Sequence, residues 1–298
     1  MYWIIGAIAV LMVLFLIAGK PVRRTMAVVR AAQRAVQQKD WEGAARLCRQ
    51  SHELAGKLHD SVRTRLQSAI EVEWAVVLYR LGKMTEAEEL FRTGFSKSRA
   101  AGTFEQQTPA CVYWGDLCAD EGRHLEAEQH YRTALERDEN VGNLANMIFD
   151  LQRLGDSLIR QGRRADAEET INRAIALETR VVHEQMIREG KDPAQHAIMS
   201  WSLPDLHFCR EQYEDARAMY REKVSFWEKS VTRPDNIDLG RLQMRLAFTE
   251  ARTGHRDAAI EMYSRAESTF AREWCEGHPR VAEARAAKAE LMQQAVRM

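Results

Sequence analysis

A short frame of small and aromatic residues recurs along the chain at near-regular intervals. In its clearest copy a turn glycine, Gly122, is followed by Ala127, the aromatic Tyr131 and a second small residue, Ala134. The other copies of the frame are Lys39/Ala44/Cys48/Ser51, Gly82/Ala87/Phe91/Gly94, Gly162/Ala167/Ile171/Ala174, Glu211/Ala216/Tyr220/Lys223 and Gly254/Ala259/Tyr263/Ala266. The central alanines are separated by 43, 40, 40, 49 and 43 residues. Self-similarity at such a period predicts a repeat architecture.

Each unit is interpreted as two antiparallel helices joined at the turn. In the second helix the alanine permits close approach of the paired helix, and the aromatic residue one turn later fills the gap toward the next unit. The first helix places apolar residues at helical spacing, as in Trp114, Leu117 and Cys118. One pair cannot bury its apolar face alone, whereas stacked pairs bury it continuously. We therefore predict an all-α fold, an α-solenoid of about six helix pairs.

The pattern resembles the tetratricopeptide repeat, TPR, over roughly residues 26–298. The positions that carry the resemblance best are Trp114, Gly115, Gly122, Ala127, Tyr131 and Ala134. The long period is similar to that of the extended repeats of kinesin light chains, and Gly277, His278 and Pro279 resemble the start of a helix in that variant. The resemblance implies a right-handed superhelix with a C-terminal capping helix, whose concave face binds proteins.

Composition and motifs argue against catalysis and nucleic-acid binding. The 43 basic and 43 acidic residues balance, so the chain has no global basic footprint. His183 and Glu184 begin like a zinc-protease helix, but Ile187 stands where the second histidine is required. No glycine-rich phosphate loop or nucleophile elbow occurs in the sequence. We therefore predict no enzymatic activity, no cofactor, no metal site and no nucleic-acid partner.

The N-terminal segment is apolar and is followed by positive charge. Residues 2–19 contain no charged residue, and Lys20, Arg23 and Arg24 follow. About 17–20 residues of helix cross a bilayer, so this segment can just span one. A secretory signal peptide is the alternative, but its charge precedes the apolar stretch. We predict an uncleaved transmembrane helix over 1–19, a basic juxtamembrane linker over 20–25 and the repeats over 26–298.

The positive charges that follow the apolar segment also predict on which side of the membrane the repeats lie. Positive residues favour the cytoplasmic side, so the repeats should face the cytoplasm. The five cysteines form no C-x-x-C pair, which agrees with a reducing compartment. The layout resembles the bacterial inner-membrane repeat adaptors that regulate lipopolysaccharide synthesis, although their C-terminal metal knuckle is absent. The predicted localisation is therefore a single-pass protein of the bacterial inner membrane.

One unit departs from the regular pattern. The longest step between central alanines, 49 residues, contains Pro193 and Pro204. Proline suits the first turn of a helix and not its interior, so Pro204 is predicted to start a shortened helix. We expect a bend, with a binding feature, near Met199–His207.

The family resemblance implies that the first helices line the concave face. The residues predicted to form this peptide-binding groove are Val76, Arg80, Asp116, Asp120, Asp156, Arg160, Trp201, Asp205, Met244 and Phe248. The four aspartates among them predict a ligand segment that bears Lys or Arg. The alternative is that these acids are paired within the chain by Arg153, Arg160 or neighbouring arginines, which would leave a solvated face.

Three classes of function follow from this organisation. The favoured prediction is a membrane-anchored adaptor that binds a protein or peptide partner on the concave face. The alternatives are a self-assembling structural scaffold, which would be a homo-oligomer, and a non-catalytic regulatory subunit of a membrane enzyme complex. The sequence alone does not identify the partner.

Overall fold

A computed structural model describes residues 19–103, 110–190, 200–229 and 237–296 of the 298-residue chain. Thirteen helices and no strand occur in these ranges, which confirms the all-α prediction for them. In chain order the helices are α1 Lys20–Gln37, α2 Trp41–Ala55, α3 Asp60–Arg80, α4 Met84–Ala100, α5 Cys111–Asp120, α6 His124–Val141, α7 Leu144–Arg160, α8 Arg164–Arg188, α9 Leu203–Cys209, α10 Tyr213–Lys229, α11 Ile237–Arg252, α12 Arg256–Glu273 and α13 Pro279–Val296.

The chain divides into two compact units, Met1–Cys118 and Ala119–Met298, called unit 1 and unit 2 below. In unit 1, α1 packs on α2 and α3 packs on α4, as antiparallel pairs should. Trp114 of α5 stacks on Phe91 and Phe95 of α4, with ring centroids 5.7 and 5.5 Å apart. These stacked rings bury the apolar face that a helix pair cannot bury by itself.

Unit 2 continues the same pairing. The pairs are α7 with α8, α9 with α10 and α11 with α12, and α13 packs on α12. A cluster that contains Tyr220 and Leu242 joins α10 to α11, and a second cluster with Phe270 and Val281 joins α12 to α13. Gly240 is required where α11 packs against α12, because an added Cβ would lie 2.4 Å from the Phe270 ring of α12.

The residues of the repeat frame occupy the positions that the sequence predicts. The central alanines are all 0% exposed: Ala44, Ala87, Ala127, Ala167, Ala216 and Ala259. The first residue of every copy has a left-handed backbone, with φ of 59° at Lys39, 71° at Gly82, 77° at Gly122, 75° at Gly162, 59° at Glu211 and 83° at Gly254. A left-handed residue ends one helix and turns the chain into the next.

The short helix of the irregular unit begins where Pro204 predicts. Helix α9 has only seven residues, and Pro204 lies in its first turn. The preceding helix, α8, is the longest in the described ranges at 25 residues and ends at Arg188. Met199, the first residue of the predicted bend, lies outside the described residues.

The predicted membrane localisation requires correction. Across the four described ranges, no helix combines the length and the apolar character needed to cross a bilayer. This finding overturns the prediction of a single-pass membrane protein with cytoplasmic repeats. The predicted anchor, residues 2–19, lies outside the described residues except for Gly19.

Helix α1 shows why the positive flank is not evidence for an anchor. The helix begins at Lys20, inside the segment predicted as a linker, and Lys20, Arg23 and Arg24 occupy its exposed positions. The opposite face buries Met26 and Val29 in a cluster with α2 and α3. The basic residues are therefore the solvated side of an amphipathic repeat helix.

Lys39 and Glu211 occupy a conformation that favours glycine. A left-handed backbone costs a residue with a Cβ about 1–2 kcal/mol. Part of any gain from glycine is lost because glycine also makes the unfolded chain more flexible. We therefore expect Lys39→Gly to raise the free energy of unfolding by about 0.5–1 kcal/mol, measured by urea denaturation. Lys83→Gly is the control, since Lys83 has a φ of −86° and should show no gain; equal effects of the two substitutions would contradict the assignment.

Candidate binding surface

Charged side chains from distant first helices of the repeats meet in unit 2. Asp120 at the end of α5 pairs with Arg280 of α13 at 2.5 Å. On α7, Asp156 pairs with Arg245 of α11, and Arg160 lies 3.3 Å from Glu283 of α13. A fourth contact joins Arg153 of α7 to Asp238 of α11 at 4.0 Å. We call these eight residues the charge seam.

The contacts of the charge seam differ in exposure and therefore in strength. The Asp120 carboxylate is 0% exposed and its partner Arg280 is 17% exposed, so this pair is largely desolvated. Asp156 and Arg160 are 49% and 55% exposed, so water competes for their charges. Breaking a buried pair leaves an uncompensated charge at a cost of about 3–5 kcal/mol, whereas an exposed pair contributes about 0–1 kcal/mol.

His124, at the start of α6, lies beside the charge seam. Burial lowers its pKa, and the charges of Arg160 and Arg280 lower it further, against a smaller opposing effect of Glu283. The lowered pKa favours the neutral imidazole. Its Nδ1 atom is buried and has no hydrogen-bond partner among the described residues.

An aromatic cluster lies next to the charge seam. Phe208, Tyr213 and Phe248 form a triangle with centroid distances of 5.8, 5.4 and 6.0 Å. The Arg245 guanidinium lies 4.1 Å from the Phe208 ring, and Arg252 lies 5.2 Å from the Tyr213 ring. Phe248 is 39% exposed, so the cluster offers an apolar surface bordered by cations.

A buried polar network holds the irregular unit against α8. Glu178 of α8 is 5% exposed and accepts hydrogen bonds from the backbone N–H of Ser202 at 3.1 Å and from its hydroxyl at 2.7 Å. Ser200 donates to the same carboxylate at 2.5 Å, and Gln152 of α7 donates at 3.2 Å. Sequence reasoning missed Glu178, because a glutamate in a long, charged helix carries no signal of burial.

Trp201 and Asp205 lie beside this network rather than in the charge seam. The Asp205 carboxylate accepts a hydrogen bond from the Tyr220 hydroxyl at 2.5 Å, and burial raises its pKa despite the nearby charge of Lys223. Lys223 donates to the Trp201 carbonyl, and its ammonium lies 5.5 Å from the Trp201 ring. Of the predicted groove residues in unit 2, the seam thus unites Asp120, Asp156 and Arg160, while Phe248 borders it in the aromatic cluster. Met244 packs against the apolar cluster of α12 and α13.

Unit 1 contains the remaining predicted groove residues. Arg80 is buried, and its guanidinium lies 5.1 Å from the Trp41 ring and 5.6 Å from the Tyr113 ring. Asp116 is buried, and Val76 is half-buried. Arg80 is therefore held by aromatic rings, an arrangement that its spacing in the sequence does not reveal.

Glu73, on the same helix as Arg80, has a strongly shifted pKa. Burial raises the pKa of this carboxyl to about 7 from its ordinary value of 4.5, against a smaller opposing effect of Gln33. The Gln33 Nε2 atom lies 3.5 Å from the Glu73 carboxylate. Glu73 therefore takes up a proton near neutral pH in the folded chain.

Metal ligation has no support in this surface. Within the ranges that the structure describes, no group of three or more His, Cys, Asp or Glu side chains could hold a metal ion. The described cysteines are all free, and four of them, Cys48, Cys111, Cys118 and Cys209, are buried. Their role is that of small apolar side chains in the core.

Comparison with known proteins supports the repeat assignment. Residues 108–179 match the family model described as the tetratricopeptide repeat. Over these residues the chain resembles the tetratricopeptide repeat, and the described ranges have a TPR-like helical repeat fold. No curated protein matches it by sequence.

Solved structures resemble this fold at low sequence identity. Aspartyl phosphate phosphatase F from Bacillus subtilis is 12% identical with a TM-score of 0.59, over 88% of this chain and 63% of that chain. NprR in complex with its cognate peptide NprX is 12% identical with a TM-score of 0.58, over 91% of this chain and 72% of that chain. A kinesin light chain-type array of nearly identical TPR-like repeats from Podosopora anserina is 14% identical with a TM-score of 0.47, over 86% of this chain and 98% of that chain.

The network around Glu178 should be essential for the stability of the folded chain. Glu178→Ala leaves the donors of Ser200, Ser202 and Gln152 without their acceptor, so we expect a loss of about 2–4 kcal/mol in the free energy of unfolding by urea. Glu184→Ala on the same helix is the control, because the Glu184 side chain is 45% exposed and pairs with Arg180. It should change stability by less than about 0.5 kcal/mol. A small loss in Glu178→Ala would show that the network is dispensable.

The shifted pKa of Glu73 predicts a pH dependence. Because its folded-state pKa is raised, the folded chain binds more protons than the unfolded chain between pH 4.5 and about 7. This contribution to stability is fully present below pH 4.5 and is lost as the pH rises through about 7. We expect Glu73→Gln to flatten the dependence of the urea midpoint on pH across this window, whereas the exposed Glu86→Gln should leave it unchanged. A wild-type slope in Glu73→Gln would exclude Glu73 as its source.

Proposed function

We propose that this TPR-type protein binds a peptide segment of a partner protein at the charge seam and aromatic cluster of unit 2. The observation that carries the proposal is the convergence of Asp120, Asp156 and Arg160 beside the exposed ring of Phe248. Charged side chains on first helices select polar groups of a ligand, and an exposed ring accepts an apolar side chain. The peptide complex of NprR is consistent with this use of the fold.

The charge of the ligand follows from the acids of the seam. Asp120 and Asp156 already have arginine partners, Arg280 and Arg245. A ligand that displaces Arg280 must therefore supply its own Lys or Arg, since the buried Asp120 carboxylate cannot be left unpaired. The predicted preference for a basic segment thus becomes an exchange of one cation for another.

The proposed work of the chain is binding rather than turnover. The similar phosphatase structure is only 12% identical, so its activity is not transferred to this protein. The membrane-anchored form of the adaptor hypothesis is not retained, because of the correction to the localisation. Association between copies through repeat edges, the scaffold alternative, stays a prediction that sedimentation at several concentrations would test.

Panning a phage-displayed random peptide library against the full chain tests the proposal. We expect the selected peptides to contain Lys or Arg beside an apolar residue and to compete with one another. Their affinity should fall about tenfold or more in the double variant Asp120→Asn with Asp156→Asn, because each carboxylate loses its charge-assisted hydrogen bond to the ligand.

Asp257→Asn is the matched control, since Asp257 is exposed in the first turn of α12. Circular dichroism should show that all variants keep the helical content of the parent chain. Selected peptides that bind the double variant and the parent equally well would overturn the proposal.

A further inference from the structure

The first turn of α13 presents a cation and an anion to the charge seam. Arg280 and Glu283 are three residues apart, and their charged groups lie 3.7 Å from each other. Arg280 pairs with Asp120 of α5, and Glu283 pairs with Arg160 of α7. The chain thus places its own Arg-x-x-Glu turn on the surface that we propose binds a ligand.

An apolar face holds α13 in place in addition to these two ion pairs. Val281 and Ala284, on the other side of the same turns, are completely buried in the cluster with Phe270 and Trp274 of unit 2. Burial of this apolar face stabilises the helix against α12 through the hydrophobic effect. The side chains of Arg280 and Glu283 can therefore leave the seam while the helix stays docked.

The two pairs set different conditions for displacement. Asp120 is fully enclosed, so a competitor must bring a cation to replace Arg280. Arg160 and Glu283 are 55% and 38% exposed, so their pair is weak and a second carboxylate can exchange with Glu283. The cation and the carboxylate of the competitor must stand about one helical turn apart, as Arg280 and Glu283 do.

We propose that Asp120 and Arg160 together bind a helical segment in which Arg or Lys is followed by Glu or Asp one turn later. Arg280 and Glu283 of the chain itself compete with this segment for the same two residues. The inference rests on the proposed function, because it specifies the ligand of the same surface. Arg280 and Glu283 occupy the site in part of the molecules, so the apparent affinity for an added peptide is reduced in proportion to the fraction of molecules whose site is vacant.

A synthetic peptide of residues 277–296 with a fluorescent label at its N-terminus serves as the probe. Binding to the full chain is measured by fluorescence anisotropy. The double variant Arg280→Ala with Glu283→Ala vacates the site, so we expect it to bind the probe about tenfold more tightly than the parent chain does. A probe in which Arg280 and Glu283 are exchanged should bind neither protein.

Two further variants test whether Arg280 and Glu283 compete with a ligand or whether their ion pairs only stabilise the fold. Arg285→Ala is the matched control on α13, because Arg285 pairs with Glu267 at 2.8 Å outside the seam, and it should bind the probe as the parent does. Glu283→Ala alone keeps the buried Asp120–Arg280 pair and should give an intermediate affinity. This single variant keeps the proposal testable even if the double variant folds poorly.

The outcomes distinguish the two proposals. If selected library peptides bind through Asp120 and Asp156 but the 277–296 probe binds no better to the vacated variants, the competitor inference is wrong and the proposed function stands. If neither class of peptide depends on these aspartates, both proposals fail. If the Arg280 and Glu283 variants lose stability without binding the probe more tightly, the two ion pairs only stabilise the fold, and the inference is also overturned.

Discussion

The close approach of paired helices at six buried alanines is the constraint on which the rest of the structure depends. Each alanine is completely buried, and the residue that opens each frame has the left-handed backbone that turns one helix into the next. A larger side chain at the alanine would separate the helices, and the buried residue one turn later would lose its contacts. Since neighbouring helix pairs share these contacts, the displacement of one pair would also disturb the packing of the next pair.

The repeated packing leaves the first helices free to carry charge. Their apolar side chains face the paired helix, so the opposite positions are not constrained by the core. In unit 2 these positions bring acids of α5 and α7 to arginines of α11 and α13. The aspartates are therefore part of a mixed surface whose charges are already balanced within the chain, and a ligand has to exchange with internal partners.

The irregular unit shows a second solution to the same packing problem. Helix α9 has only seven residues and cannot bury a full apolar face. A buried carboxylate, Glu178, accepts the hydrogen bonds of the segment that precedes this short helix. A network whose donors and acceptors are satisfied can replace apolar contact, because it leaves few buried polar groups unpaired.

The sequence by itself determined the helical pairs, their turns and the buried alanines, because these depend on a local pattern that repeats within about 40 residues. It also predicted the start of α9 from Pro204, since proline acts on its own backbone. Only the tertiary structure decided that Asp120 meets Arg280 and that Arg160 meets Glu283, 123 residues further along the chain. Such contacts depend on how successive pairs stack, and small rotations between pairs accumulate into positions that no local pattern encodes. The basic residues of α1 show another limit of the sequence, because the positive flank of a membrane anchor and the solvated face of a repeat helix have the same composition.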